Sequence, residues 1–291
     1  MNALAITHRN LRLFFRDRAA VFFSVLSALI LIGLYALFLG HQQVDALKQS
    51  LPGASEADIT AFVVAWVFAG VAMITTLTTG LSSLSQLVED ASTGRFRDFL
   101  VSPVRRIELI LGYLVSSFVI SVLITLVTVV AGQIYLAIIG GPVMTPAQIA
   151  TVVGYVALSS AAFVAMAAFV VTFMPSASAF TAVATIVGTL IGFLAGAYIP
   201  PGVLPTGVVN VVQALPFAQS ALLIRQPLTH EALVRMTEGD ARGETSISAF
   251  YGMTAKVGDL TITNGWALTE LVGVLVVFLA LGAWRMGRRI R

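Results

Sequence analysis

The chain has 291 residues, of which 58% are hydrophobic and only 11% are charged, and its mean hydropathy is +0.94. Soluble domains carry about 25% charged residues, so this composition excludes a soluble globular fold, a disordered chain and a fibrous protein. Residues 109–224 contain no Asp, Glu, Lys, Arg or His, which leaves room for several membrane spans of about 20 residues each. The apolar runs are continuous and do not alternate with polar residues, which argues against a membrane β-barrel. The sequence therefore predicts a single all-α polytopic membrane domain over residues 1–291.

Residues 1–18 predict an amphipathic helix that lies in the membrane surface. Its apolar and basic faces consist of Leu4, Leu11 and Phe15, and of Arg9, Arg12 and Arg16, respectively. Such a helix places its basic side chains among anionic lipid headgroups. The same arginines also fit the ordinary positive charge that flanks a membrane span.

Hydropathy predicts six transmembrane helices, at residues 20–40, 60–87, 107–139, 147–173, 179–199 and 266–286. Most of the 17 Lys and Arg residues lie before the first span, between the second and third spans, or after the sixth. Six spans put these three segments on one side, and the positive-inside rule makes that side the cytoplasm. We therefore expect a multi-pass plasma-membrane protein with both termini cytoplasmic.

The second span carries a polar stripe, in which Thr75, Thr79 and Ser82 recur at helical spacing. These residues are candidates for a solute pathway. The alternative is that the hydroxyl groups only donate hydrogen bonds to their own helix or to neighbouring helices.

The fifth span also contains a doubled Gly-x-x-x-Gly pattern formed by Gly188, Gly192 and Gly196. Glycines on one helix face let a second backbone approach closely, which is a common way for helices to associate in lipid. The pattern therefore predicts a packing face on this span.

Residues 200–263 follow the fifth span and are expected to lie on the outer face. The stretch at 203–224 is uncharged and long enough to cross the membrane, but Pro205 and Pro216 interrupt it. A seventh span would also place the Arg-rich C-terminus outside. A re-entrant helical hairpin is therefore predicted here, and the role of the polar loop at 228–263 stays open.

Signatures of catalysis are absent from the sequence. There is no Gly-x-x-x-x-Gly-Lys-Ser/Thr phosphate loop and no Gly-x-Ser-x-Gly nucleophile elbow. The three histidines fall in separate segments, so no metal site is predicted. We expect a chain that is not an enzyme and binds no cofactor, and that takes its energy from another protein.

The loop at residues 88–106 mixes charges of both signs with apolar side chains. Phe96, Phe99 and Leu100 have helical spacing, which predicts a short amphipathic helix whose apolar side meets a partner protein. Along the chain an acid, a glycine, an apolar pair, a Ser-Pro and two basic residues follow one another: Glu89, Gly94, Phe99, Leu100, Ser102, Pro103, Arg105 and Arg106. This order resembles the membrane permeases of type-2 ABC exporters, and the proline-rich segment after the fifth span is similar to theirs as well.

The resemblance implies a half-transporter whose second and fifth spans border the solute path, which adds Thr181 and Thr185 of the fifth span to the pathway candidates. Two permease chains, identical or different, would pair in the membrane, and two separate ABC ATPase chains would bind ATP and Mg²⁺ and dock from the cytoplasm. The loop would be the coupling helix that the ATPase receives, formed by Glu89, Gly94, Arg95, Phe96, Arg97, Asp98, Phe99, Leu100, Pro103 and Arg105. Membrane lipid is an expected partner and nucleic acid is not, and a bacterial plasma membrane is the expected location.

The function that these features favour is ATP-driven export of an amphiphilic small molecule, such as a drug, an antibiotic or a lipid-like compound. Export of a polysaccharide or glycolipid is the alternative within transport. A channel or a membrane scaffold is the alternative from another class, and the predicted docking loop argues against it.

The six-span topology can be tested directly because the chain has no cysteine. Single cysteines at Ala3, Ser246 and Arg291 would be treated with a membrane-impermeant thiol reagent in intact cells. Only the cysteine at position 246 should react, because the positive-inside rule puts both ends in the cytoplasm. Labelling at position 291 as well would contradict an even number of spans.

Overall fold

The computed structural model describes residues 3–34, 40–95 and 106–289. Its helices are α1 (Ala3–Arg16), α2 (Arg18–Leu34), α3 (Gly40–Ser50), α4 (Glu56–Ser83), α5 (Ser85–Ser92), α6 (Arg106–Ile138), α7 (Pro146–Val171), α8 (Ala177–Leu194), α9 (Thr206–Gln213), α10 (Pro216–Thr237), α11 (Ala241–Phe250) and α12 (Asn264–Arg289). A 3₁₀ turn (Pro201–Val203) precedes α9, and an antiparallel pair of strands, β1 (Ala255–Val257) and β2 (Leu260–Ile262), precedes α12.

The predicted all-α polytopic fold is confirmed. Within the described ranges, five helical segments are long and apolar enough to cross a membrane: α4 with α5, α6, α7, α8 and α12. The first predicted span, 20–40, begins within α2, and its residues 35–39 lie outside the described part of the chain. The uncharged stretch after α8 forms α9 and α10, which meet at 85°, as in a broken span or a re-entrant loop.

Local sequence signals explain where several helices begin. The Ser55 side chain accepts a hydrogen bond from the backbone N–H of Asp58 at the start of α4. Thr145 and Gln148 form a reciprocal capping box at the start of α7, with Pro146 at the first helical position. These caps satisfy backbone N–H groups that have no partner within the helix.

Helix α4 is the central element of the fold. It packs most extensively against α6, α10 and α7, and less extensively against α2, α3 and α8. Interhelical hydrogen bonds support this arrangement, because the Ser121 hydroxyl lies 2.7 Å from the Thr76 carbonyl oxygen and 2.9 Å from the Ser160 hydroxyl. Since lipid provides no hydrophobic drive between helices, such bonds and close packing carry helix association.

Small residues set the closest helix contacts. A Cβ built on Gly132 of α6 would lie 2.6 Å from ring carbons of Phe68 on α4. A Cβ on Gly70 of α4 would lie 2.8 Å from the Ala197 Cβ, just after α8. These two glycines therefore allow α6 and the end of α8 to approach α4.

We expect Gly132→Ala to lower the melting temperature of the purified protein, since overpacking of this kind costs about 1–3 kcal/mol. Gly154→Ala on α7 is the matched control, because a Cβ at Gly154 would meet nothing within 4 Å. Thermal unfolding of both variants in the same detergent measures the effect. Equal melting temperatures would contradict the close contact between α4 and α6.

Candidate functional site

A cleft lies over α4, between α2 and α8. Its larger part has a volume of about 620 Å³ and includes four of the five predicted pathway residues, Thr75, Ser82, Thr181 and Thr185. The fifth, Thr79, lines an adjoining cavity of about 370 Å³. The two cavities share Phe23, Thr78, Ser82 and Phe180, so we treat them as one feature, the α4 cleft.

Four threonine hydroxyl groups that line the α4 cleft donate their protons to carbonyl oxygens of their own helices. The Oγ1 atoms of Thr75 and Thr78 donate to helix carbonyl oxygens at 2.8 and 2.9 Å. Thr181 and Thr185 do the same on α8, at 3.0 and 2.9 Å. A hydroxyl has one proton and two lone pairs, so these groups offer acceptors to a ligand and have no proton left to donate.

Aromatic rings complete the lining. Phe23 comes from α2, Phe180 from α8 and Tyr198 from the segment after α8. None of the described residues that line the α4 cleft is charged. The surface therefore combines apolar and aromatic groups with hydrogen-bond acceptors, and Ser82, Thr181 and Thr185 are exposed in the single chain.

The predicted glycine face on α8 serves three different purposes in the structure. Gly188 lines the α4 cleft, and a Cβ there would meet nothing within 4 Å. A Cβ on Gly192 would overlap the ring of Tyr198, so its close neighbour is a side chain of the following segment and not the backbone of another helix. Gly196 has a φ of +59°, which favours glycine as the chain turns after α8.

A cluster of hydrogen-bonded polar side chains around Asp90, which we call the polar junction, lies where α5 leads into the predicted coupling loop. The Asp90 side chain is completely buried and accepts hydrogen bonds from both terminal nitrogens of Arg9, at 2.9 and 3.3 Å. It also accepts from the Tyr113 hydroxyl at 2.6 Å and from Gln86 Nε2 at 3.3 Å. The junction therefore joins α1, α5 and α6.

Helix α1 is fixed to α6 by further contacts beside this junction. Asn10 Nδ2 donates to the Ser116 hydroxyl at 3.3 Å, and Ile6 is completely buried against the backbone of Gly112. Burial by itself lowers the pKa of the Arg9 guanidinium, but the hydrogen bonds and charge of Asp90 outweigh it, so the pKa is raised above its ordinary value. Arg9 thus stays charged where it meets Asp90.

Three of the predicted coupling residues lie in the described part of the chain. Glu89 is exposed at the end of α5, Gly94 turns the chain with a φ of +78°, and Arg95 Nη1 lies 3.5 Å from Asp90. The other seven lie outside the described residues: Phe96, Arg97, Asp98, Phe99, Leu100, Pro103 and Arg105. Their assignment to the coupling helix stays a prediction.

Sequence reasoning missed both Asp90 and Arg225. Arg225 lies on α10, in the segment that was expected on the outer face, but its side chain is buried. Its Nη2 donates to the carbonyl oxygens of Ala195 and Gly196 at 3.0 and 2.6 Å, and its guanidinium lies 5.2 Å from the Trp66 ring centre. Arg225 thereby joins α10 to the end of α8 and to α4. Its position as the residue that ends the long uncharged stretch is the one sequence signal that pointed to it.

Metal ligation has no structural basis within the described ranges, since no group of three or more His, Asp or Glu side chains there is close enough to hold an ion.

We expect Asp90→Ala to destabilise the protein by about 1–3 kcal/mol, because it removes the hydrogen bonds that partly buried Arg9 and buried Tyr113 donate to this carboxylate. The loss should release α1, so trypsin should cleave after Arg9 and Arg12 sooner than in the parent. Glu89→Ala removes the same charge one residue earlier from an exposed position and is the matched control. Equal cleavage rates in the two variants would contradict the role of the junction.

Comparison with known proteins agrees with these features. The family model described as ABC-2 type transporter matches residues 1–226, which include α1, the polar junction and the α4 cleft. Among curated proteins, none matches the chain. Permeases of this family are transmembrane subunits that work with ABC ATPases and are not themselves catalytic. The chain therefore belongs to the ABC-2 type transporter family and is a permease subunit of an ABC transporter.

Proposed function

We propose that this permease exports an amphiphilic small molecule across a bacterial plasma membrane, and that the α4 cleft is its binding site. The observation that carries the proposal is the lining of the cleft, which combines aromatic rings with hydroxyl groups and contains no charged side chain among the described residues. A ligand that leaves water for such a surface gains from burying apolar area.

The hydrogen bonds that these threonine hydroxyl groups already donate limit the kind of ligand that the cleft can bind. Thr75, Thr78, Thr181 and Thr185 present lone pairs, so the ligand has to supply N–H or O–H donors. Positive charge is tolerated as well, because the faces of Phe23, Phe180 and Tyr198 attract cations. An apolar amine or an aromatic compound with N–H groups fits these requirements.

A polysaccharide or glycolipid is the second candidate, because sugars stack on aromatic rings such as Phe180. Sugar hydroxyl groups also need many donors and acceptors, and Asn, Gln, Asp, Glu, Arg and Lys are all missing from the described lining. The lining therefore favours the amphiphile.

In this proposal, the energy for transport comes from two separate ABC ATPase chains, which bind ATP and Mg²⁺. The segment from Glu89 to Arg105 is the coupling helix, and Asp90 connects its entry to α1 and α6. ATP binding would favour one conformation of the assembly because its affinity for the two conformations differs.

A second permease chain, identical or different, would complete the transporter. Most of α8 is not buried in the single chain, so this helix has area outside the α4 cleft that is available for a second permease chain. Both termini lie in the cytoplasm in this arrangement, as the distribution of arginines predicts.

The test uses proteoliposomes that contain the permease together with the ATPase that co-purifies with it from native membranes. The probe is rhodamine 6G, an aromatic amphiphile with N–H donors and a positive charge. Thr185→Phe should reduce its transport at least about tenfold, because a loss of 1.4 kcal/mol in binding already gives that factor. Thr189→Phe, one turn further along α8 and outside the described cleft lining, should leave transport close to the parent value.

Equal transport in both variants would contradict the α4 cleft as the binding site. Transport of an oligosaccharide and not of rhodamine 6G would favour the second candidate. Rhodamine movement without ATP would point to a channel and contradict the exporter.

A further inference from the structure

A second cavity lies at the opposite end of α4 from Asp90. It has a volume of about 250 Å³ and is enclosed by α3, the start of α4, Tyr135 near the end of α6, and Ile32 of α2. This volume is close to the lower limit of about 300 Å³ for small-molecule sites. We call it the α3 pocket, and it shares no lining residue with the α4 cleft.

The floor of the α3 pocket is apolar. Val63, Val67 and Phe68 of α4 form it together with Tyr135, and the rings of Phe68 and Tyr135 have centroids 6.2 Å apart. A ligand that leaves water for such a surface gains free energy by burying its hydrocarbon part. It therefore suits an alkyl chain or a flat apolar group.

The mouth of the α3 pocket is polar and has a net negative charge. His41 and Asp45 on α3 line it together with Glu56 at the start of α4. Lys48 Nζ lies 2.7 Å from the Glu56 carboxylate and neutralises it. Among the described residues, no ion pair of this kind is present at Asp45, whose side chain is exposed. One uncompensated carboxylate thus stands above an apolar floor.

We propose that the α3 pocket binds an amphiphile with a cationic amine head and an alkyl chain. The chain lies on Val63, Val67 and Phe68, and the ammonium group pairs with Asp45. The negative mouth repels anionic heads such as a sulfate or a phosphate, and an uncharged head gains nothing from Asp45. The site is separate from the α4 cleft and its occupation requires neither ATP nor an ATPase, so the inference goes beyond the proposed function.

The test compares two probes with the same alkyl chain, dodecylamine and dodecan-1-ol. Thr60 lines the α3 pocket, and Thr60→Cys creates a single thiol in this cysteine-free chain. The full-length variant in phosphatidylcholine nanodiscs would be alkylated with N-ethylmaleimide, and the rate read by mass spectrometry. Dodecylamine should protect the thiol at a concentration about fivefold lower than dodecan-1-ol, which is the size expected for one partly exposed ion pair.

Two substitutions in the Thr60→Cys background separate the ion pair from general charge effects. Asp45→Asn should remove the preference for the amine. Asp58→Asn changes the net charge equally, but Asp58 bonds to Ser55 and does not line the pocket, so it should keep the preference. Val64→Cys, a second lining position, replaces Thr60→Cys if the latter does not fold.

Three results would overturn the proposal. Equal protection by the two probes means that the pocket accepts any lipid chain. A preference that Asp58→Asn also removes means that distant charge is responsible. No protection by either probe means that no amphiphile enters. None of these results depends on transport, so they leave the proposed function of the α4 cleft untouched.

Discussion

The rest of the structure depends on how α4 is held, because in lipid the apolar surface of a helix gains little from meeting another helix. Two devices replace that gain. Glycines let neighbouring elements pack closely, as Gly132 does against the Phe68 ring, and hydroxyl groups bond between helices, as Ser121 does with Thr76 and Ser160. These contacts act on the sides of α4 that face α6 and α7, and Gly70 brings the segment after α8 against α4. The side that faces α2 and α8 is packed less extensively, and this is where the α4 cleft opens.

Among the residues that the structure describes, charged side chains are buried only at the two ends of this arrangement. Asp90 meets Arg9 and Tyr113 at one end, and Arg225 meets the carbonyl oxygens of Ala195 and Gly196 at the other. Burying a charge without partners costs much free energy, so separating Asp90 or Arg225 from these partners would destabilise the fold. The described lining of the cleft between them has hydroxyl groups and no charges, and a change of shape there separates no buried ion pair. The fold thus keeps its buried charges at the two ends and an uncharged cleft lining between them, within the described residues.

The sequence predicted the helices well because continuous hydropathy depends on local composition alone. Helical spacing also indicated that Thr75, Thr79 and Ser82 share one face of the second span, whereas only the family resemblance linked this face to Thr181 and Thr185 of the fifth span. The sequence could not predict the role of Asp90, whose partner Arg9 is 81 residues away, or that of Arg225, whose acceptors are the carbonyl oxygens of Ala195 and Gly196. For the glycines, the Gly-x-x-x-Gly pattern could not reveal that the Tyr198 ring lies against Gly192 within the same chain, and packing of this face against another helix stays a prediction.

Connectivity suggests how movement at the proposed coupling segment reaches the cleft. Asp90 binds Arg9 on α1, and a single residue, Asp17, separates the end of α1 from the start of α2. Backbone hydrogen bonds continue through that residue, from Asp17 to Leu13 and from Val21 to Asp17, at 3.2 and 3.1 Å. A displacement of α5 would therefore reach α2 through α1, and α2 contributes Phe23 to the cleft lining. Helix α4 is also joined to α5 directly, since only Leu84 separates the two helices, and the backbone N–H of Val88 donates to the Leu84 carbonyl oxygen at 3.3 Å. A movement at Asp90 would therefore reach the cleft by two connections, through α1 and α2 to Phe23 and through Leu84 to Ser82 on α4.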